Sequence, residues 1–143
     1  MEKMVDIEKL LSEGNNVKIK PQGWSMYPLI VYGRDKVIIE PPVAKRYKRG
    51  EVVLYRRETG ILVLHRIYKT DSEGYYMVGD NQTEIEGPIK HAQIKGQMAA
   101  VVRKERVIPV SSPCYKIYSN LWLILRPVRP LISKIVHKIK NIK

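Results

Sequence analysis

EVVLYRRETGILVLHRIYK, residues 51–69, decides the fold. Two β-rich runs, Val52–Arg56 and 61–68, flank Glu58, Thr59 and Gly60, the pattern of a β-hairpin. The same grammar recurs on both sides. VKIK at 17–20 alternates like a strand, and DKVIIE at 35–40 is β-rich and stopped by Pro41 and Pro42. After the hairpin, a turn at 71–74 leads into YYMV at 75–78, which the sequence GDN at 79–81 interrupts before a charged loop runs to Pro88. Further strands are predicted at 94–103 and 107–110. The body is therefore read as mainly β, with short antiparallel strands in sequence order. A short helix precedes it, because Met4, Ile7, Leu10 and Leu11 fall at helical spacing before Gly14.

The 143 residues suffice for one sizeable core, and 44% hydrophobic with 28% charged residues fits a folded chain and excludes wholesale disorder. There is no Phe, so aromatic packing falls to nine Tyr and two Trp. A single cysteine, Cys114, excludes an internal disulfide and is expected as a buried or half-buried small residue. With three scattered histidines, no metal site and no cofactor are expected; His91 and His137 are read as surface residues. Nothing reads as a signal peptide or a membrane span, the longest apolar run being 121–125. The expected location is cytoplasmic, with peripheral contact at a membrane.

Net charge is +12, and no acidic residue follows Glu105. Residues 1–112 are read as the β body and 113–143 as a basic helical extension. YKIYSNLWLILR forms a helix ending before Pro127, and 131–143 places Leu131, Ile132, Ile135, Val136, Ile139 and Ile142 on one face with lysines opposite. Such a segment at 127–143 either lies at an anionic membrane surface or packs on the body or a second copy. The basic residues are not interleaved with aromatics in an RNA-binding pattern, so no nucleic acid is expected as a partner.

GWSMYPLI, residues 23–30, raises a chemical question. Ser25 is either a turn residue beside Gly and Pro or a nucleophile, and a serine hydroxyl needs a base to take its proton. His65 follows forty residues later within LVLHRI. A neutral imidazole ordinarily titrates near 6.5, so it can accept that proton near neutral pH, and the rate should then rise through about pH 6 to 7. Arg66 would face the opposite side of the strand and is read as structural.

In order and spacing, S-M-x-P at 25–28, RGEVVLYRR at 49–57, H-R-I at 65–67, V-G-D-N at 78–81 and I-K-G-Q at 94–97 resemble the type I signal peptidase superfamily, which also contains the SOS-repressor autopeptidases. The likeness covers about residues 15–103, and His65 brings the chain nearest the Ser-His branch found in the endoplasmic reticulum, archaea and sporulating bacteria. It implies a core of coiled antiparallel β-sheets. It implies a serine endopeptidase in which Ser25 attacks through an acyl-enzyme, His65 is the base, and Asp80 or, six places on, Glu86 orients the imidazole. Gly23, Trp24, Met26 and Leu64 would line the substrate site, Met26 and Pro28 also shaping the turn. The substrate would be a precursor polypeptide bound extended beside a strand edge, with small side chains near the scissile bond, losing its leader or signal segment.

Three departures qualify that resemblance. Gly33-Arg34-Asp35 stands where the family has Gly-Asp adjoining, Gly23 stands where one branch has a hydroxyl, and no N-terminal membrane anchor is read. The last argues against general secretory processing. No Ala-Gly or Cys-Gly bond occurs, which argues against self-cleavage as a transcription switch. The rival readings are a basic membrane- or nucleic-acid-binding module, and a catalytically degenerate peptide-binding member of the same fold.

Overall fold

The computed structural model describes residues 6–23, 25–125, 128, 131, 134, 135 and 137–139. Among these, eight strands build one antiparallel sheet. They are β1 (Val17–Ile19), β2 (Asp35–Glu40), β3 (Val52–Arg56), β4 (Leu62–Asp71), β5 (Gly74–Val78), β6 (Glu86–Ile89), β7 (Ile94–Arg103) and β8 (Arg106–Pro109). The order across the sheet is β1-β2-β7-β3-β4-β5-β6, with β8 pairing β7. The mainly β expectation holds, and strands 35–40 and 94–103 stand as read. β6 overlaps the end of the stretch read as a charged loop and runs one residue past it. Its Glu-Gly-Pro-Ile has little strand propensity of its own, and it forms by pairing with β5, Tyr75 opposite Ile89 and Met77 opposite Glu86.

β3 lies near the middle of the order and is covered on both faces, which is why VVLY is a continuous apolar run. Val52 and Leu54 join a core with Leu11, Ile39, Met98 and Val101. Val53 and Tyr55 join a second one with Ile67, Tyr75, Met77 and Ile94. Helix α1 (Ile7–Ser12), capped by the Asp6 carboxylate accepting from the Lys9 N–H at 3.0 Å, closes the first core with Leu11. A Cβ on Gly96 would lie 2.6 Å from Ile39 Cγ2 and 2.7 Å from the Glu40 carbonyl, so this close approach of β2 needs glycine.

Helix α2 (Pro113–Ile124) begins at Ser112, whose hydroxyl accepts from the Tyr115 N–H, with Pro113 in the first turn. It docks on the sheet through Tyr115, Ser119, Trp122 and Leu123. Cys114 is exposed, not buried or half-buried as expected, because it stands on the opposite side of the first turn from that docking face. The predicted face at 131–143 falls partly outside the described residues; of its members Leu131, Ile135 and Ile139 are described, and all three are exposed. Trp24 also lies outside them. No helix among the described residues is long and apolar enough to cross a membrane.

Candidate active site

The chain reaches Ser25 as it leaves β1 and turns back toward β2. The turn closes with the Ile30 N–H on the Met26 carbonyl at 2.9 Å. Buried Asp35 then clasps its far side, accepting from the Val31 N–H at 2.8 Å and pairing with Arg34 and Arg103, while Arg103 also donates to the Leu29 carbonyl at 2.7 Å. Burial alone would raise the Asp35 carboxyl, but those hydrogen bonds outweigh it and hold it below the usual range. The residue that separates Gly33 from Asp35 is thus itself an Asp35 ligand.

GDN meets the Ser25 turn from the other side. The Asn81 N–H donates to the Ser25 carbonyl at 2.8 Å, and the Asp80 N–H points at Met26 Sδ at 3.5 Å. A Cβ on Gly79 would sit 2.6 Å from the Ser25 carbonyl oxygen, so only glycine allows this approach.

His65 and Arg66 are neighbours on β4 and face opposite sides. Arg66, fully buried, forms a two-pronged ion pair with fully buried Asp80, Nε to Oδ1 and Nη2 to Oδ2 both at 2.8 Å. The Tyr118 hydroxyl donates to Asp80 Oδ2 at 3.0 Å, the Trp122 indole donates to the Asp80 carbonyl at 2.7 Å, and Arg66 Nη1 donates to Ser119 Oγ at 2.6 Å. Burial would lower the Arg66 pKa, yet Asp80 more than reverses this and keeps the guanidinium charged. Asp80, the leading sequence candidate for orienting His65, therefore has its carboxylate engaged by Arg66 and α2.

On the other face His65 pairs across the ladder with Val53, and Tyr55 is its diagonal neighbour. Tyr55 Oη lies 3.1 Å from His65 Nδ1. Near Tyr55 stands Glu86, held by Arg57, whose Nε is 3.0 Å from both carboxylate oxygens. Burial is the largest influence on His65 and pushes its pKa down to about 4, against an opposing pull from Glu86. At neutral pH the ring is therefore uncharged. Burial would raise Glu86, but hydrogen bonds from Arg57 and Tyr55 hold it below the usual carboxylate range.

Ser25 and His65 line one cleft of about 480 Å³, with Gly23, Met26, Leu54, Leu62 and Leu64 among its walls. A second depression of about 700 Å³ adjoins it through Arg57, His65 and Gln82 and runs along 81–87. His65 thus stands where the two meet. A further cavity of about 460 Å³, between α2, β7 and residues 48–52, contains neither Ser25 nor His65. Among the described residues no hydrogen bond engages Ser25 Oγ or His65 Nε2, and none could gather a metal ion. The structure brings Ser25, His65, Gly23, Met26 and Leu64 together at this cleft, and Glu86 behind it.

No protein-family model, curated protein or solved structure matches the chain. What the site can do therefore rests on its own residues. A serine hydroxyl and an uncharged, half-anchored imidazole at one groove are the parts for acyl transfer. Tyr55 went unnoticed in the sequence because a tyrosine in an apolar strand reads as core. The hairpin register, which sets it diagonal to His65, was the signal that could have found it.

Proposed function

We propose that the chain is a serine endopeptidase of the signal-peptidase type, which removes a leader or signal segment from a precursor polypeptide. The observation that carries this reading is the meeting of Ser25 and His65, forty residues apart in sequence, at one groove. His65 is uncharged there, has one ring nitrogen engaged and keeps the other available. His65 Nε2 takes the proton as Ser25 Oγ attacks the scissile carbonyl, and returns it to the leaving amine. Water, deprotonated by the same nitrogen, then hydrolyses the acyl-enzyme. The Ser25 N–H, without an acceptor among the described residues, serves as an oxyanion donor. The groove is largely aliphatic and suits an extended peptide with small or apolar side chains.

A signal-peptidase-like core belongs to the same reading, and what supports it is that His65 faces the cleft while Arg66, on the opposite face of β4, ties down GDN through Asp80. The test is to incubate the wild type and Ser25→Ala with a diverse mixture of unstructured peptides and read new termini by mass spectrometry. Cleavage by the wild type alone is expected. Equal cleavage by Ser25→Ala would overturn the mechanism.

We further propose that the basic C-terminal segment holds the enzyme at an anionic membrane surface, where leader-bearing precursors gather. Ile117, Leu121 and Ile124 of α2 are exposed, and Val128, Leu131, Ile135 and Ile139 continue the exposed set at intervals of three or four residues. Lysines and arginines without a single acid accompany them.

A further inference from the structure

We propose that Trp122, on the helix that follows the β body, is a positioning residue for Ser25, acting through the single peptide group that joins Asp80 to Asn81. The inference rests on reading Ser25 as the nucleophile and adds what fixes its aim. α2 (Pro113–Ile124) lies outside residues 15–103, the span of the family resemblance, so that resemblance gives the helix no part in the reaction.

Two hydrogen bonds converge on one peptide. The buried Trp122 indole N–H donates to the Asp80 carbonyl at 2.7 Å, and the Asn81 N–H donates to the Ser25 carbonyl at 2.8 Å. That Asp80 carbonyl and that Asn81 N–H are the two ends of the 80–81 peptide, which is trans and planar. In a trans peptide they point in opposite directions, so the indole grips one end and Ser25 the other. A rotation of the plane that loosens one bond loosens both. Because the bonds run in series, donor to acceptor, each also polarises the next.

What reaches Ser25 is orientation. With its carbonyl held, rotation about its Cα–C bond is restrained, and the hydroxyl and N–H of the same residue keep their place on the cleft. The surroundings leave the peptide little play. Asp80 is fully buried, its own N–H points at Met26 Sδ at 3.5 Å, and Gly79 could carry no Cβ against the Ser25 carbonyl. Arg66 and the Tyr118 hydroxyl act on the Asp80 carboxylate, which rotatable bonds separate from the peptide. Tyr118 and Trp122 stack on one face of α2 with ring centroids 5.7 Å apart, and of the two only the indole addresses the Asp80 backbone.

The experiment joins an NMR scalar coupling across the hydrogen bond, from the Asn81 amide nitrogen to the Ser25 carbonyl carbon, with kcat and KM for peptide cleavage. Both are measured on the full chain as wild type, Trp122→Phe and Tyr118→Phe. The coupling is expected in the wild type, which needs no variant. Trp122→Phe removes the indole N–H. Where melting curves show that it does not fold, benzothienylalanine at position 122 keeps both fused rings and puts sulfur in place of the N–H. Either change should abolish the coupling and lower kcat about 10- to 100-fold with little change in KM, since a misplacement of about 1 Å can cost about 100-fold. Tyr118→Phe keeps the stack and removes a hydrogen bond from the Asp80 carboxylate, so it should lose stability yet retain the coupling and the wild-type kcat. No coupling in the wild type, a folded Trp122 variant that keeps either the coupling or the wild-type kcat, or equal kcat losses in both helix variants would overturn the inference. Should the wild type cleave no peptide while the coupling is present and is lost only on changing Trp122, the positioning role stands and the peptidase reading is what fails.

Discussion

A histidine in water takes up its proton near pH 6.5, and burial of His65 brings that down to about 4. Resemblance and an unperturbed imidazole led to a rate rising through pH 6 to 7; the hydrophobic wall of β3 and β4 moves the expected limb. With Arg57, Glu86 and Asp80 as the charges that act on the ring, kcat/KM should be nearly flat from pH 6 to 8 and reach half its plateau near pH 4. A limb centred above pH 6 would show a more hydrated ring than the structure has. The same displacement enters stability. Between about 4 and 6.5 the unfolded chain binds a proton at His65 that the folded chain refuses, so this contribution is complete above 6.5 and is lost as pH falls toward 4. Its full size is roughly 3 kcal/mol. His65→Gln should therefore flatten the rise of stability across that interval, measured by urea unfolding at several pH values.

At the scale of elements, β4 turns one dipeptide to two uses. His65 serves the cleft, and Arg66 ties GDN and α2 to the sheet through Asp80. Removing one partner of a buried ion pair leaves the other uncompensated, at about 3 to 5 kcal/mol. Asp80→Asn is expected to lose stability on that order and to speed hydrogen exchange across α2 (Pro113–Ile124), whose Tyr118 and Trp122 bond to Asp80. An Asp80→Asn protein with wild-type unfolding and impaired turnover would mean that Asp80 acts on His65 alone. The hairpin, β2 and β7 were legible because β-branched runs end at Gly and Pro. β6 was not, since Gly87 and Pro88 disguise a strand that only its pairing with β5 creates. Likewise Ser25 and His65 carry recognisable neighbours in sequence, whereas assigning Asp80 to Arg66 and Glu86 to Arg57 requires knowing how the strands pair.

For the whole molecule, +12 is concentrated where no acid follows Glu105, and the exposed stripe begins on α2 at Ile117 and Leu121, on a helix whose other side is docked. A lone cationic helix would be held by charge alone, and one without charge would find a neutral bilayer as readily as an anionic one. The combination predicts both an apolar and an electrostatic dependence. In vesicle co-sedimentation, the wild type should bind phosphatidylglycerol-containing vesicles well above pure phosphatidylcholine, and less so as salt rises past a Debye length of about 8 Å. The double change Ile117→Glu and Leu121→Glu should weaken that binding at least about tenfold, since each buried apolar side chain contributes roughly 1.5 to 3 kcal/mol. Peptide cleavage in the absence of vesicles should stay unchanged, because neither residue lines the cleft. Equal binding to neutral and anionic vesicles, or full binding by the double variant, would remove the membrane from this reading. A shift from dimer to monomer in the variant would assign the stripe to a second copy of the chain instead.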